Sequence, residues 1–254
     1  MNKYSAKSRQ VITKPFLMPF ILVGLLFPLW GFANDITNPL VAAFKNILLI
    51  SHFESALVQF AFYGGYCLMA IPAAIFIKRF NYKQAILMGL ALYSIGCFLF
   101  IPAGKMMVFE AFLVAYFIMT CGLSFLETSA NPYILSMGDE STATQRLNFA
   151  QAFNPLGSLM GMFVAKEFIL AQLNPASETS RLELAQNDPD AFSQIQQNDL
   201  NVIVDPYLIL GIVVVVVFFI FLFSKLPGSK SSVESKLDLK PTLSRLFSNR
   251  HYKD

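Results

Sequence analysis

The chain has 254 residues, 55% of them hydrophobic and only 14% charged, with a formal net charge of +3. Soluble domains carry about a quarter charged residues, so this composition excludes an ordinary soluble domain. The small positive excess sits in short loops between apolar runs, which leaves no basic face for a nucleic-acid partner.

A bilayer core of roughly 30 Å needs about 20 mostly apolar residues per helix. Taken in chain order, six stretches satisfy this. The first, 16–44, follows a basic N-terminus at 1–15. It is too long for a signal peptide and lacks a small-residue cleavage site, so it reads as an uncleaved helix. It contains WGFANDITNPL, in which Asn34, Asp35 and Asn38 fall within about one turn. Pro39 strains the helix there, because the residue before a proline avoids the α region. The second stretch, 53–77, contains FAFYGGY, with Tyr63 and Tyr66 flanking Gly64 and Gly65. Small residues of this kind allow close backbone approach between membrane helices. The third stretch is 84–102.

The fourth stretch, 109–135, carries the least expected residue. Glu127 lies in GLSFLETSANPY with Asn131 four residues on, about 40° around a helix axis, so the two share a face. An ionisable side chain at that depth is costly against lipid and normally faces a cavity or a partner. With Asp35 it makes the only pair of acids deep in the spans. The fifth stretch, 147–171, opens with RLNFAQAFNPLG, which places Asn148, Gln151 and Asn154 on one arc. It continues through Gly157 and Gly161, a G-x-x-x-G pair suited to helix packing.

A polar segment at 172–206 carries six acids and one arginine, and a serine cap predicts a short helix near 177–186. The sixth stretch, 206–226, includes IVVVVVFFIFLF, and the chain then turns polar and basic over 227–254. The expected fold is therefore an all-α membrane protein with six transmembrane helices over 16–226.

Charge placement orients it. Of 19 lysines and arginines, only Lys45, Lys105, Lys166 and Arg181 fall on one side of this arrangement, and the other 15 fall opposite. The positive-inside rule then puts both termini in the cytoplasm and 172–206 outside, in a multi-pass protein of the cell (inner) membrane. Cys67, Cys97 and Cys121 all lie in apolar spans and read as packing residues. His52 and His251 fall near a loop and in the tail. No Cys/His spacing holds a metal, and no serine has an intramembrane histidine to activate it. The sequence reads as a non-enzyme without metal or cofactor.

The amides, with Glu127 and Asp35, form a pocket wall that is mostly neutral, and Trp30, Phe62, Tyr63, Tyr66 and Phe153 supply aromatic faces. Amides and carboxylates satisfy hydroxyl groups while aromatic rings cover C–H surfaces. A neutral polyhydroxylated molecule such as a monosaccharide fits this chemistry best.

The strings FPLWGFANDITNPLVAAF, LVQFAFYGGY, IPAAIFIKRFNYKQA, GLSFLETSANPY and RLNFAQAFNPLG resemble the L-fucose:proton symporter family of the major facilitator superfamily, from about Pro19 to Leu226. The resemblance implies the N-terminal bundle of a twelve-helix fold, built as two six-helix bundles around a central sugar site. It implies proton coupling at Glu127 and sugar contacts at Gln151 and Asn154. The family's first-helix aspartate aligns with Asn38, whereas this chain carries Asp35 one turn earlier, which leaves sodium open as the coupling ion. The superfamily's G-x-x-x-D-R-x-G-R-[RK] loop is degenerate, with Ala74, Lys78, Arg79, Asn81, Tyr82 and Lys83 in those places.

The expected partners are a neutral monosaccharide, the lipid bilayer and a C-terminal six-helix half. The chain is expected to be a transporter half cut in its central linker and inactive in transport alone. The expected site comprises Glu127 and Asp35 for the proton, and Gln151, Asn154, Asn38, Asn131 and Tyr63 for the sugar. Gly64, Gly65, Gly157 and Gly161 are expected to pack helices. The alternatives are a glucose/galactose carrier, sodium-driven, and a membrane interaction protein that pairs through those glycines.

Overall fold

The computed structural model describes residues 11–227. Most of the basic N-terminus and the linker at 228–254 lie outside the described residues. Ten α-helices occur among those described: α1 (Leu17–Gly24), α2 (Leu26–Thr37), α3 (Leu40–Leu48), α4 (His52–Arg79), α5 (Tyr82–Met106), α6 (Phe109–Leu135), α7 (Ala143–Gln151), α8 (Asn154–Val164), α9 (Glu178–Asn187) and α10 (Pro189–Phe223). No strand occurs among the described residues.

Among the described residues, five helical stretches are long and apolar enough to cross a membrane: Lys14–Leu48, His52–Arg79, Tyr82–Met106, Phe109–Leu135 and Pro189–Phe223. The first is interrupted at Pro39, where the sequence reading expects strain, but Asn38 keeps α-region dihedrals instead of avoiding them, and a further interruption falls at Leu25. α2 stops at Thr37 and α3 starts at Leu40. Pro39 has no N–H to give the carbonyl one turn back, that of Asp35.

The fifth expected span is a jointed rod instead of one helix. α7 ends at Gln151, α8 begins at Asn154, and a π-helical turn covers Ala165–Leu170. The joint lies one turn before Pro155, whose ring displaces the bond to the Gln151 carbonyl. The sixth span also differs from expectation. It is a single helix from Pro189, and Pro206 lies within it. The polar segment before it is thus largely helical, because Ser177 caps α9 and Asp188 caps α10 through their side chains.

Helix packing follows small residues and buried aromatics. α5 lies along α6, α4 along α6, α10 along α5, and α2 along α8. Gly157 faces the Pro28 carbonyl, and a Cβ at Gly161 would stand 2.7 Å from the Phe32 carbonyl. A Cβ at Gly65 would meet Thr120 of α6 and stand 2.9 Å from the Phe117 carbonyl. Gly64 corrects the expectation for its pair, because a Cβ there would meet nothing within 4 Å. It points away from the helix that Gly65 touches.

Two arginines counted by sequence as loop charges are buried. Arg146 is fully inaccessible and donates from Nη2 to the Leu135 carbonyl (2.8 Å), from Nη1 to Thr142 Oγ1 (2.7 Å) and to the Asp139 carbonyl (3.0 Å). Its Nη1 also reaches the Val11 carbonyl (3.3 Å), and its Nε the Ile134 carbonyl (3.3 Å). A guanidinium here satisfies the open carbonyls at the end of α6 and opposes the negative end of that helix. At the other end of the bundle, Arg181 of α9 pairs with Asp199 of α10 at 2.5 Å, both almost fully buried. Lys45 of α3 reaches Glu178 at 2.6 Å. The polar segment is thereby fastened to the bundle.

The Gly157 contact is testable. Gly157→Ala forces a methyl group onto the Pro28 carbonyl and should cost about 1–3 kcal/mol, the usual range for overpacking. Gly64→Ala faces open space and should leave stability unchanged or slightly higher. Thermal melting of the two variants in detergent distinguishes them, and equal melting would remove Gly157 as a packing contact.

Candidate functional site

Glu127 stands in α6 eight residues before its end, among Ser124, Thr128 and Asn131 at three- and four-residue spacing. Opposite, α4 presents Tyr63, Tyr66, Cys67 and Ala70. Together with Pro132 these residues line a cavity of about 660 Å³. The two helices are held in register at its floor by the Gly65–Thr120 contact and by Ser124 Oγ donating to the Tyr66 carbonyl (3.3 Å). Phe62, buried behind, packs edge-on to Tyr63 at 5.5 Å and tilted to Tyr66 at 5.8 Å, so it fixes both phenol rings.

Glu127 makes no hydrogen bond or ion pair among the described residues, and the buried Asn131 Oδ1 has no donor. A buried amide oxygen without a donor is costly unless something else satisfies it, and the Glu127 carboxyl beside it is exposed and open to a further partner. The surrounding hydroxyls and amide can donate and accept, while the tyrosine rings offer apolar faces. This is an arrangement for a small molecule with several hydroxyl groups.

A second polar group lies where the first span breaks. Gln59 Nε2 of α4 donates to Asn38 Oδ1 (2.8 Å), and Asn38 Nδ2 donates to Asp35 Oδ1 (3.3 Å). Gln59 lies one turn from Tyr63 along α4, so this chain of bonds continues the face that lines the Glu127 cavity. The third group, on the jointed rod, lies outside that lining. Asn154 Nδ2 donates to the Phe27 carbonyl of α2 (3.3 Å), while Gln151 is exposed and has no side-chain hydrogen bond among the described residues.

The structure thus brings Tyr63, Glu127 and Asn131 together. It links Gln59 to Asp35 through Asn38, and it anchors Asn154 on α2 while leaving Gln151 exposed. Sequence reasoning missed Gln59, Ser124 and Thr128. The signal was the same helical spacing that paired Glu127 with Asn131. Cys67 was expected to pack, yet it is exposed on the cavity wall, because the face of α4 bearing Tyr63 and Tyr66 borders the open cavity. No cluster of three or more His, Cys, Asp or Glu side chains able to hold a metal occurs among the described residues.

The described residues form an all-helical bundle with a carboxyl, Glu127, in a cavity lined by hydroxyl and amide groups, and the sequence places the chain in a known family of membrane proteins. It matches the Major Facilitator Superfamily over residues 23–252 and belongs to that family. An L-fucose-proton symporter of Haemophilus influenzae is 51% identical over 96% of this chain and 58% of the relative. A glucose/galactose transporter of Brucella abortus is 33% identical over 85% of this chain and 48% of the relative. A crystal structure of the Escherichia coli fucose:proton symporter superposes with a TM-score of 0.77 at 34% identity, covering 94% of this chain and 57% of that one. The chain spans about half the length of these relatives, over their N-terminal half.

The two amides of the jointed rod should respond differently to truncation. Asn154→Ala removes the bond to the Phe27 carbonyl and should cost about 1 kcal/mol of stability. Gln151→Ala removes no bond within the bundle and should melt like the unaltered protein. Thermal unfolding in detergent checks both, and a Gln151→Ala variant that melts as low as Asn154→Ala would contradict the assignment.

Proposed function

We propose that the chain is the N-terminal bundle of a proton-coupled sugar carrier that takes up L-fucose or a related hexose. The observation that carries this reading is the unpaired Glu127 in a cavity of hydroxyl, amide and tyrosine side chains. The names of its relatives support the substrate class. A sugar bound there through its hydroxyls satisfies Asn131 Oδ1 and approaches Glu127 when that carboxyl holds its proton. Release of the proton then weakens sugar binding, and thermodynamic linkage requires the reverse effect in equal measure. Asp35, held by Asn38, which Gln59 braces in turn, shares the coupling role. Gln151 faces the sugar directly, and Asn154 does so from its anchor on α2.

The Glu127 cavity is open on the side away from α4 and α6, and a second six-helix bundle facing it completes the carrier. The ion is a proton in this reading. A glucose or galactose substrate is the second reading, favoured by the Brucella abortus relative.

Glu127→Gln mimics the protonated carboxyl permanently. In vesicles holding the bundle together with its complementary half, this variant should lose sugar accumulation driven by a pH gradient, falling to the level without a gradient. Sugar-for-sugar exchange should persist, because it moves no net proton. Accumulation that survives the substitution rejects Glu127 as the coupling group, and accumulation driven by sodium instead of a pH gradient selects the sodium-coupled alternative.

The same reading places the protein in the inner membrane with both termini in the cytoplasm and 172–206 outside, supported by the asymmetry of lysine and arginine. In a background lacking Cys67, Cys97 and Cys121, Ser180→Cys should react with an impermeant thiol reagent added to intact cells, whereas Ser232→Cys should not. The opposite pattern inverts the topology.

A further inference from the structure

On the far side of α2 from the break at Asn38, a second cavity of about 690 Å³ runs between α2, the jointed rod and α10. Its walls are apolar: Leu29 and Phe32 come from α2, Phe168 from the π-helical turn, and Ile209 and Val213 from α10. The α10 residues that line it extend from Val202 to Val217, about 22 Å of helix at 1.5 Å per residue. Several lining side chains point outward, with Ile209 of α10 63% and Phe168 of the π-helical turn 52% exposed. The groove opens sideways toward the surrounding medium.

Two polar side chains, Asp205 and Gln172, mark one end. Asp205 is exposed and has no hydrogen-bond or ion-pair partner among the described residues, and Gln172 likewise makes no side-chain bond. The position of Asp205 along α10 is informative. Residues 206–223 are apolar with one tyrosine and cover about 27 Å, close to the roughly 30 Å hydrocarbon core. Asp205 therefore stands at the headgroup level of one leaflet, with the apolar groove running inward below it. A free carboxylate above a slot of lipid-chain length selects a molecule with a cationic head and an aliphatic tail.

We propose that this groove is a phospholipid site selective for phosphatidylethanolamine. One acyl chain lies in the slot, the primary ammonium donates to the Asp205 carboxylate, and the Gln172 amide donates to a phosphate or ester oxygen. The primary ammonium matters, because its N–H groups form charge-assisted hydrogen bonds that the methylated nitrogen of phosphatidylcholine cannot form. A phosphatidylglycerol head carries net negative charge and is repelled by Asp205. Nothing in this site touches Glu127 or the amides assigned to the sugar.

The test uses the chain purified from vesicles of dioleoyl phosphatidylethanolamine, phosphatidylcholine and phosphatidylglycerol in equal amounts, with retained lipid measured by native mass spectrometry. Phosphatidylethanolamine should be retained about tenfold over phosphatidylcholine, the effect of one charge-assisted hydrogen bond. Asp205→Asn should reduce that ratio to near one, and Ile209→Trp, which fills the slot, should lower retention of all three lipids. Equal retention of phosphatidylethanolamine and phosphatidylcholine by the unaltered chain overturns the proposal. So does a preference that Asp205→Asn leaves intact, or a lipid-free dimer whose formation Ile209→Trp blocks. If Ile209→Trp fails to fold, the lipid ratio in the unaltered chain and in Asp205→Asn still decides the matter.

Discussion

The backbone contact between α2 and α8 is the constraint on which the site depends. Gly157 and Gly161 bring α8 onto the carbonyls of Pro28 and Phe32, closer than any side chain would permit. Gly31 returns the contact, because it faces the backbone of Asn154 and Ser158. In lipid no hydrophobic gain drives helices together, so association rests on packing of this kind and on hydrogen bonds such as that from Asn154 to Phe27. The two interrupted spans of the bundle are thereby joined to each other. Their breaks, at Asn38–Pro39 and at Ala152–Phe153, leave backbone carbonyls that a continuous helix would have consumed. Irregular backbone at membrane depth is tolerated where it is buried in protein or lines a cavity.

Against this jointed pair, α4, α5 and α6 are uninterrupted rods despite internal prolines at Pro72, Pro102 and Pro132. The Glu127 cavity is built between two of those rods. The bundle therefore separates a stiff wall, which carries the ionisable group, from a flexed wall, which carries Asp35, Asn38, Gln151 and Asn154. At one end of the stiff wall Arg146 gathers the last carbonyls of α6, the following turn and Val11 on one guanidinium. Its planar fork of donors suits several acceptors held in fixed directions, which a lysine ammonium does not match.

Much of this was legible in the sequence for simple physical reasons. A carboxyl inside a 27-residue apolar helix is conspicuous against its surroundings, and the four-residue step from Glu127 to Asn131 sets them on one face. Pro39 marks the interruption of the first span because it leaves the Asp35 carbonyl without its helical donor, although a proline alone does not end a helix, as Pro72, Pro102 and Pro132 show. What escaped were features that depend on a partner distant in sequence. The helix through Pro206 looks like a loop locally, since Gln196, Gln197 and Asn201 are polar. They are stabilised by bonds to the Ile47 and Gly104 carbonyls and to one another. Arg146 and Arg181 read as solvated charges because their acceptors, backbone carbonyls and Asp199, cannot be recognised from composition. Gly64 and Gly65 are indistinguishable as letters, and only the rotation of α4 against α6 decides which one packs.

The distance along the chain between α2 and α8 has a consequence for how the protein is made. Asn154 and the Phe27 carbonyl that it meets are separated by 127 residues. At synthesis rates of 5–20 residues per second, α2 waits about 6 to 25 s for the helix that covers its glycine and carbonyl face. During that interval Asn34, Asp35 and Asn38 sit in a broken apolar helix without the later helices that bury its other side. The first span is thus covered in stages, by α4 through Gln59 and by α5 through Tyr93 before α8 closes over its glycine face.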